Sequence, residues 1–500
     1  MDKPVEQTRA HAAFEGFLKA SRQPVLLEPG EEQLPLQPDS YTLEWRPSGL
    51  TLQAWDQTRN FVRRIKRVGE EKPGKLELIV ERFGKREGQL FLIDLARPKQ
   101  LEMKRWGTRL VFREQLRRSL SRGFPLWRIA ELSTEPNLQE SLSPVYPRAL
   151  LKKGGAGWAA LACPRDAGAA SGALTFGLIW LDYLRRREPR LTIEGLAIFL
   201  AYGQERTTCL RLPFLNPLAA QFAVFIYSEE GYEERLDPRD YGNLDTRLEP
   251  CRAAFPERGA QVEAWVERLC RSPQVSRIER SDGAASLRVR GLEFARATRT
   301  EVLFGLEQRA AAGEANLAEI ERLAAEIARV RAAAAPDREH PLYRLHPEAW
   351  LESQVRAHLE QIDASLYPAP VYDQAPSFAG GERGVMDLLA VDRNGRLAVL
   401  ELKASEDIQL PLQALDYWMR VKWHLDRGEF SGRGYFPGIA LRGDAPRLLL
   451  IAPALDFHPK TEVILRHFAR EVEVERIGLG VEWRKEPKVM FRIRGAERSH

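Results

Sequence analysis

Two apolar runs dominate the hydropathy pattern of the C-terminal third of the chain. Val385-Met-Asp-Leu-Leu-Ala-Val391 and Leu397-Ala-Val-Leu-Glu-Leu-Lys403 flank the polar stretch Asp392-Arg393-Asn394-Gly395-Arg396. Short apolar runs bounded by turn residues predict buried strands, and Asn-Gly between them predicts a hairpin tip. Beyond the second run, Pro411 suits a first helical turn, Leu412, Leu415 and Met419 recur at helical spacing, and Gly428 supplies a stop. A helix at about 347–362, a short strand at Pro370-Val-Tyr372, a strand at 447–452, a helix near 459–470 and a strand at 472–477 complete an αβββαβ order. Strands separated by helices predict parallel pairing, whereas the hairpin is antiparallel. The expected architecture is therefore α/β, with a mixed sheet sandwiched by helices.

Upstream the pattern changes. Lys75–Arg82 and Gln89–Leu95 alternate as strands of a hairpin across 83–88, and helical periodicity follows near 110–122. Gly177–Arg185 predicts a helix, and 195–201 and 221–227 predict buried strands. Residues 303–335 are rich in Ala, Glu and Arg and set Leu317, Ile320, Ala324 and Ile327 at three/four spacing, ending before Pro336. Such a stretch predicts a connecting helix or short coiled coil, and with about three heptads a helix packed on its own chain competes with a dimer seam. The expected order is an α+β region over 1–140, a second α/β or α+β accessory region over 141–302, a helical connector over 303–337 and the mixed-sheet domain over 338–500.

Composition narrows the classes. Five hundred residues at 44% hydrophobic content suffice for two or three packed domains, and no run approaches the roughly 20 apolar residues that cross a bilayer. Nothing in Met-Asp-Lys-Pro-Val-Glu reads as a secretory signal, and four scattered cysteines offer no zinc spacing, so a reducing cytoplasm is the expected setting. Residues 338–500 hold 23 Lys+Arg against 24 Asp+Glu, so the first 337 residues carry a net +6 and the whole excess of the chain's +5 is N-terminal. The runs Arg63-Arg64-Ile-Lys66-Arg67, Arg117-Arg118, Lys152-Lys153 and Arg185-Arg186-Arg187 could meet phosphates if the fold gathers them, or be solvated faces. Lys152-Lys-Gly-Gly-Ala-Gly157 lacks the Gly-Lys-Ser/Thr ending of a phosphate loop and predicts an ordinary glycine turn.

Candidate chemistry lies in the hairpin. A three-residue loop of Arg393, Asn394 and Gly395 pairs Asp392 with Arg396, and the count along both strands sets Asp387 opposite Glu401, with Lys403 on the same face. A two-residue loop would break that cluster. Two carboxylates and an ammonium group are costly in an apolar sheet unless a cation or a phosphate uses them. Hard oxygen ligands suit Mg²⁺ or Mn²⁺, with the Leu402 carbonyl as a third ligand, and Lys403 would orient the attacking water. On the following helix Gln413 and Tyr417 lie one turn apart; Arg420 and His424 continue their face, which the commoner reading makes a solvated amphipathic one.

Asp387, Glu401-Leu-Lys403 and Gln413-x-x-x-Tyr417 resemble the PD-(D/E)XK nuclease superfamily, and the last element is similar to its RecB-like and NucS-like branches. The likeness covers about residues 340–495. It implies a restriction-endonuclease-like core, Asp387 and Glu401 as metal ligands, Lys403 as the catalytic lysine, and Gln413 and Tyr417 against substrate or ligands. Glu352 in Trp350-Leu-Glu-Ser-Gln-Val-Arg is the match for an acidic residue contributed by the preceding helix, and Met386 departs from the Pro of the motif. The implied activity is Mg²⁺- or Mn²⁺-dependent phosphodiester hydrolysis, endonuclease or exonuclease, with DNA as partner and the N-terminal part positioning substrate. Two sites acting on two strands would make a homodimer. The alternative is a nucleic-acid or protein binding module built on a nuclease fold without turnover.

Overall fold

A computed structural model of the chain describes residues 3–495, apart from 29–33, 39, 47–48, 56–59, 82–86, 95, 97–99, 166–169, 228–232, 241, 243, 245, 252–257, 281–282, 374–376 and 379–387. It is mixed α/β and divides into two compact units, Met1–Glu205 with Gln221–Leu236, and Arg206–Ala220 with Asp237–His500.

The first unit contains two sheets. Seven antiparallel strands are ordered Leu34–Pro35, Pro24–Leu27, Glu87–Asp94, Lys75–Glu81, Asn60–Lys72, Gly49–Trp55 and Tyr41–Arg46. The helix Lys3–Ala20 buries Ala10 and Phe14 against Leu50, Leu52, Ile65 and Leu78 of that sheet. The expected hairpin is there, with Lys75–Glu81 paired to Glu87–Asp94. In the second, six-stranded sheet, Ala156–Ala162, Thr192–Ala201 and Gln221–Tyr227 run parallel, and the helix Ala173–Arg187 connects the first two of them. Lys152–Gly157 is the tip of the hairpin between Arg148–Lys153 and Ala156–Ala162, with Gly154 at φ 59°, and so an ordinary turn. Arg128–Ser133 pairs with Arg148–Lys153, so a boundary at 140 would cut through this sheet.

In the second unit, five antiparallel strands span Val275–Glu279, Ala285–Val289, Leu292–Ala297, Val302–Phe304 and Ala310–Ala311. The helices Ala260–Leu269 and Leu317–Val330 close their core. The segment expected as a connector from 303 is thus two strands and a helix of this sheet. Leu317, Ile320 and Ile327 are buried on the sheet of their own chain rather than at a dimer seam, because Phe294, Leu287 and Val289 offer the apolar face they match. The last sheet is mixed, ordered Leu388–Val391, Leu397–Leu402, Arg447–Pro453, Val474–Leu479 and Val489–Arg494, with the middle three parallel and both edges antiparallel. Its core takes Trp350, Leu351 and Val355 of the helix Pro347–Ala357 against Ala398, Leu400, Leu402 and Ile451. The helix Leu410–Asp426 packs on the same central strands.

Several expected elements differ in extent. The strand at Pro370–Tyr372 reduces to one bridge, Tyr372 with Leu389, since Pro368 and Pro370 have no N–H to extend a ladder. The helix near 459–470 is only Thr461–Leu465, and Val489–Arg494 adds an edge strand that the pattern of apolar runs did not predict. No helix among the described residues is long and apolar enough to cross a membrane.

Candidate active site

Three residues make the hairpin tip. Asp392 N–H donates to Arg396 O and Gly395 N–H to Asp392 O, each at 2.9 Å, while Asp392 Oδ1 accepts from the Asn394 and Arg396 amides, both at 2.9 Å. Gly395 lies at φ 83°, and a Cβ there would meet Ala440 O at 2.2 Å, so only glycine fits. The odd loop sets the register Val391↔Leu397, Ala390↔Ala398, Leu389↔Val399, Leu388↔Leu400. Asp387 lies outside the described residues.

Glu401 is 3% exposed and sits opposite Leu450 in the parallel ladder. Because Ala398, Leu400 and Leu402 fill the Trp350 cluster, strand alternation places Glu401 with Leu397 and Val399 on the other face. That face is the one beneath the helix Leu410–Asp426, whose buried residues do not enter the Trp350 cluster. Two positions on, Lys403 still bonds through its N–H to Ile451 O at 3.0 Å. Its Nζ lies 3.2 Å from Asp407 Oδ2, with about a fifth of the side chain exposed. Asp407 was not among the expected residues. Its other oxygen accepts from Gln409 N–H at 2.8 Å and its carbonyl from Leu410 N–H at 3.3 Å, which anchors the start of the helix while the carboxylate holds the lysine. An Asp three residues before a helix is the signal that points to it.

Gln413 is half-buried and Tyr417 buried on the helix that covers this face. Between them Asp416 takes a bidentate pair from the buried Arg211, at 2.8 and 2.7 Å. The solvated face expected further along does not extend to His424. Burial lowers the pKa of its imidazole, Glu429 Oε2 lies 2.7 Å from Nδ1, and Thr246 Oγ1 lies 3.0 Å from Nε2. A histidine with both nitrogens engaged and 3% exposure is a packing element.

Glu352, expected as a metal ligand, is paired with arginines. Arg356 donates to its Oε1 at 3.0 Å and Arg288 Nη1 stands 3.7 Å from its Oε2, with Asp373 3.8 Å from the same guanidinium. Burial raises its pKa, and the two arginines oppose that rise. Its helix contributes to the Trp350 cluster, on the face of the sheet opposite Glu401, and guanidinium groups rather than open coordination positions meet its oxygens. Among the described residues no group of three or more His, Cys, Asp or Glu side chains is placed to hold a metal ion. Of the expected donors, Glu401 retains the chemistry that Mg²⁺ requires, a hard carboxylate at the end of a rigid strand.

The N-terminal cationic runs find acidic partners in place. Arg63 Nη2 meets Glu28 at 2.6 Å, Arg64 and Lys66 meet Glu81 at 3.2 and 3.6 Å, and Arg67 meets Glu87 at 3.8 Å. Lys152 pairs with Glu188 at 2.9 Å, Arg117 with Glu114 at 3.0 Å, Arg186 with Glu140 at 2.6 Å, and Arg187 with Glu131. These eight side chains are therefore charge-compensated within the fold. No family model, no curated protein and no solved structure matches the chain.

Proposed function

We propose that the chain is a divalent-metal-dependent nuclease of the PD-(D/E)XK type, hydrolysing phosphodiester bonds in DNA through Asp387, Glu401 and Lys403. The observation that carries this reading is Glu401, a carboxylate buried within an apolar strand, two residues before a lysine and beyond a hairpin tip of the required odd length. A mixed sheet with helices on both faces agrees with a restriction-endonuclease-like core. In this scheme Asp387 and Glu401 hold Mg²⁺ or Mn²⁺, which polarises the scissile phosphoryl group when bound. Lys403, held by Asp407, keeps its ammonium beside the attacking water and offsets charge developing on the phosphate. Gln413 and Tyr417 border the cleft from the covering helix and orient the strand to be cut. In this scheme the arginine-paired Glu352 is left out of the ligand set.

The second reading, a binding module without turnover, draws on the same Lys403–Asp407 ion pair, which gives the lysine a partner other than substrate. Cleavage of labelled DNA decides between them. Purified protein should cut with Mg²⁺ or Mn²⁺, stop with EDTA, and be silenced in Asp387→Ala and Lys403→Ala variants that still melt cooperatively. A protein that retards DNA in a gel but leaves it intact with either ion belongs to the second reading.

A further inference from the structure

We propose that the arginines gathered around Trp350 form a binding site for a phosphate-class oxyanion, either free phosphate or a phosphate group carried by a polynucleotide. This site goes beyond the hydrolytic reading and does not depend on it. Three guanidinium carbons lie within reach of one indole: Arg331 at 4.7 Å from the ring centroid, Arg484 at 5.3 Å and Arg290 at 6.0 Å. Among the described residues no carboxylate comes within ion-pair distance of any of the three. Asp456 acts on Arg484 only from farther away, and the exposed Arg338 adds another positive charge beside it. Burial, and then Arg484 and Arg290, push the Arg331 pKa down to about 10. Elsewhere in the unit Arg288 and Arg356 meet Glu352, and Arg447 and Arg492 meet Asp363 and Glu475; this cluster concentrates like charge, which is costly unless an anion compensates it.

Hydrogen bonding points the same way. Arg331 Nε, Arg484 Nε and Trp350 Nε1 are buried donors with no acceptor, a deficiency that native structures seldom leave unmet. An oxyanion offers acceptors only, and guanidinium forks match its geometry. The scaffold is rigid. Arg331, fully buried, is fastened by its guanidinium to the carbonyls of Leu342, Leu345 and His346 and serves as the floor. Arg484 stacks on Trp483 at 4.3 Å. Arg290 is delivered by a two-residue turn in which it and Gly291 have φ 48° and 81°, where Asn-Gly would sit at lower cost. A Cβ on Gly291 would meet Ala349 O at 1.9 Å, so the turn rests on the backbone next to Trp350.

Thermal melting of the full chain at constant ionic strength tests the site. Replacing chloride by inorganic phosphate should raise the melting temperature saturably. Arg484→Met and Arg290→Met should each weaken that response at least tenfold in phosphate concentration; Arg484→Met should melt in chloride no lower than the parent, because it relieves repulsion, whereas Arg290→Met also loses the hydrogen bond from Arg290 Nη1 to the Arg331 carbonyl. Equal melting in both salts, or a response unchanged in both variants, overturns the proposal, as does a lower melting temperature of Arg484→Met in chloride, the mark of a purely structural role. Fluorescence anisotropy in EDTA, with a 5′-phosphorylated oligonucleotide and its unphosphorylated twin, separates the two sources. Displacement by phosphate and weakened binding in Arg484→Met assign the site to polynucleotide phosphate; an indifferent oligonucleotide beside an intact phosphate response assigns it to the free ion. Neither readout involves cleavage, so the Lys403→Ala assay reports on hydrolysis separately.

Discussion

Glu352 and Glu401 belong to opposite faces of one sheet, both withdrawn from water, and differ in what surrounds them. Glu352 lies among Arg288, Arg356 and Asp373, a buried ionic cluster that joins the five-stranded antiparallel sheet to the helix Pro347–Ala357. Glu401 lies between Leu400 and Leu402 and opposite Leu450, in a strand whose other residues are apolar. A charge answered by Arg356 one turn along its own helix and by Arg288 from a remote strand serves the fold. A charge set into a leucine strand, next to a lysine, is the one that catalysis would use.

Substitution should separate them most widely in turnover. Lys403→Ala is expected to slow metal-dependent DNA cleavage on the order of 10²–10⁴-fold, and Glu401→Gln at least as much, with divalent-ion heat lost in calorimetry. Glu352→Gln should leave ion binding intact. The second contrast is in stability. Glu352→Gln leaves two largely buried guanidinium groups with the more distant Asp373 as their remaining acid and should cost about 2 kcal/mol in urea unfolding. Glu401→Gln should cost less, because the ladder bonds to Arg447–Pro453 hold its backbone whatever the side chain. An equal loss in both would erase the distinction.

Asp363 sharpens the structural side of the comparison. Burial pushes its pKa up, but hydrogen bonds from Ser365 and the Arg447 guanidinium outweigh it and hold the carboxyl at about 2. A folded-state value below the unfolded one gives stability that is complete above about pH 4 and lost as pH falls through 2. Asp363→Asn should therefore remove about 2 kcal/mol at neutral pH and flatten melting temperature against pH between 4 and 2. The smallest effect belongs to Asp407→Asn. Asparagine keeps the helix anchor and loses only a partly exposed ion pair, so stability should change by less than about 1 kcal/mol. A severalfold fall in turnover at unchanged melting temperature would show that Asp407 positions Lys403; unchanged turnover would show that it only anchors the helix.

Much of the local geometry was legible along the chain. Asn394-Gly395 announced the tip, its odd count announced the register through Leu388↔Leu400, and Pro411 and Gly428 marked the long helix within a residue or two. The misreadings had separate causes. Ala-rich periodicity over 303–335 hid two short strands, because strands of two or three residues carry no period of their own. Prolines at 368 and 370 reduced an expected strand to a bridge. The cationic runs left both readings open because most of the glutamates that pair with them, Glu28 and Glu81 among them, arrive from other parts of the chain.

The chain by itself determined which face of each strand is apolar, where the hairpin turns, and that Glu401 and Lys403 stand two residues apart, since all of these follow from steric rules and periodicities acting over a few residues. Tertiary structure alone decided the partners of the charges. Arg211 reaches Asp416 across 205 positions, Arg288 reaches Glu352, and Arg290, Arg331 and Arg484 converge on Trp350 from three different elements. Ion pairing and burial depend on distance in space, and no local pattern encodes which remote side chain a buried charge will meet.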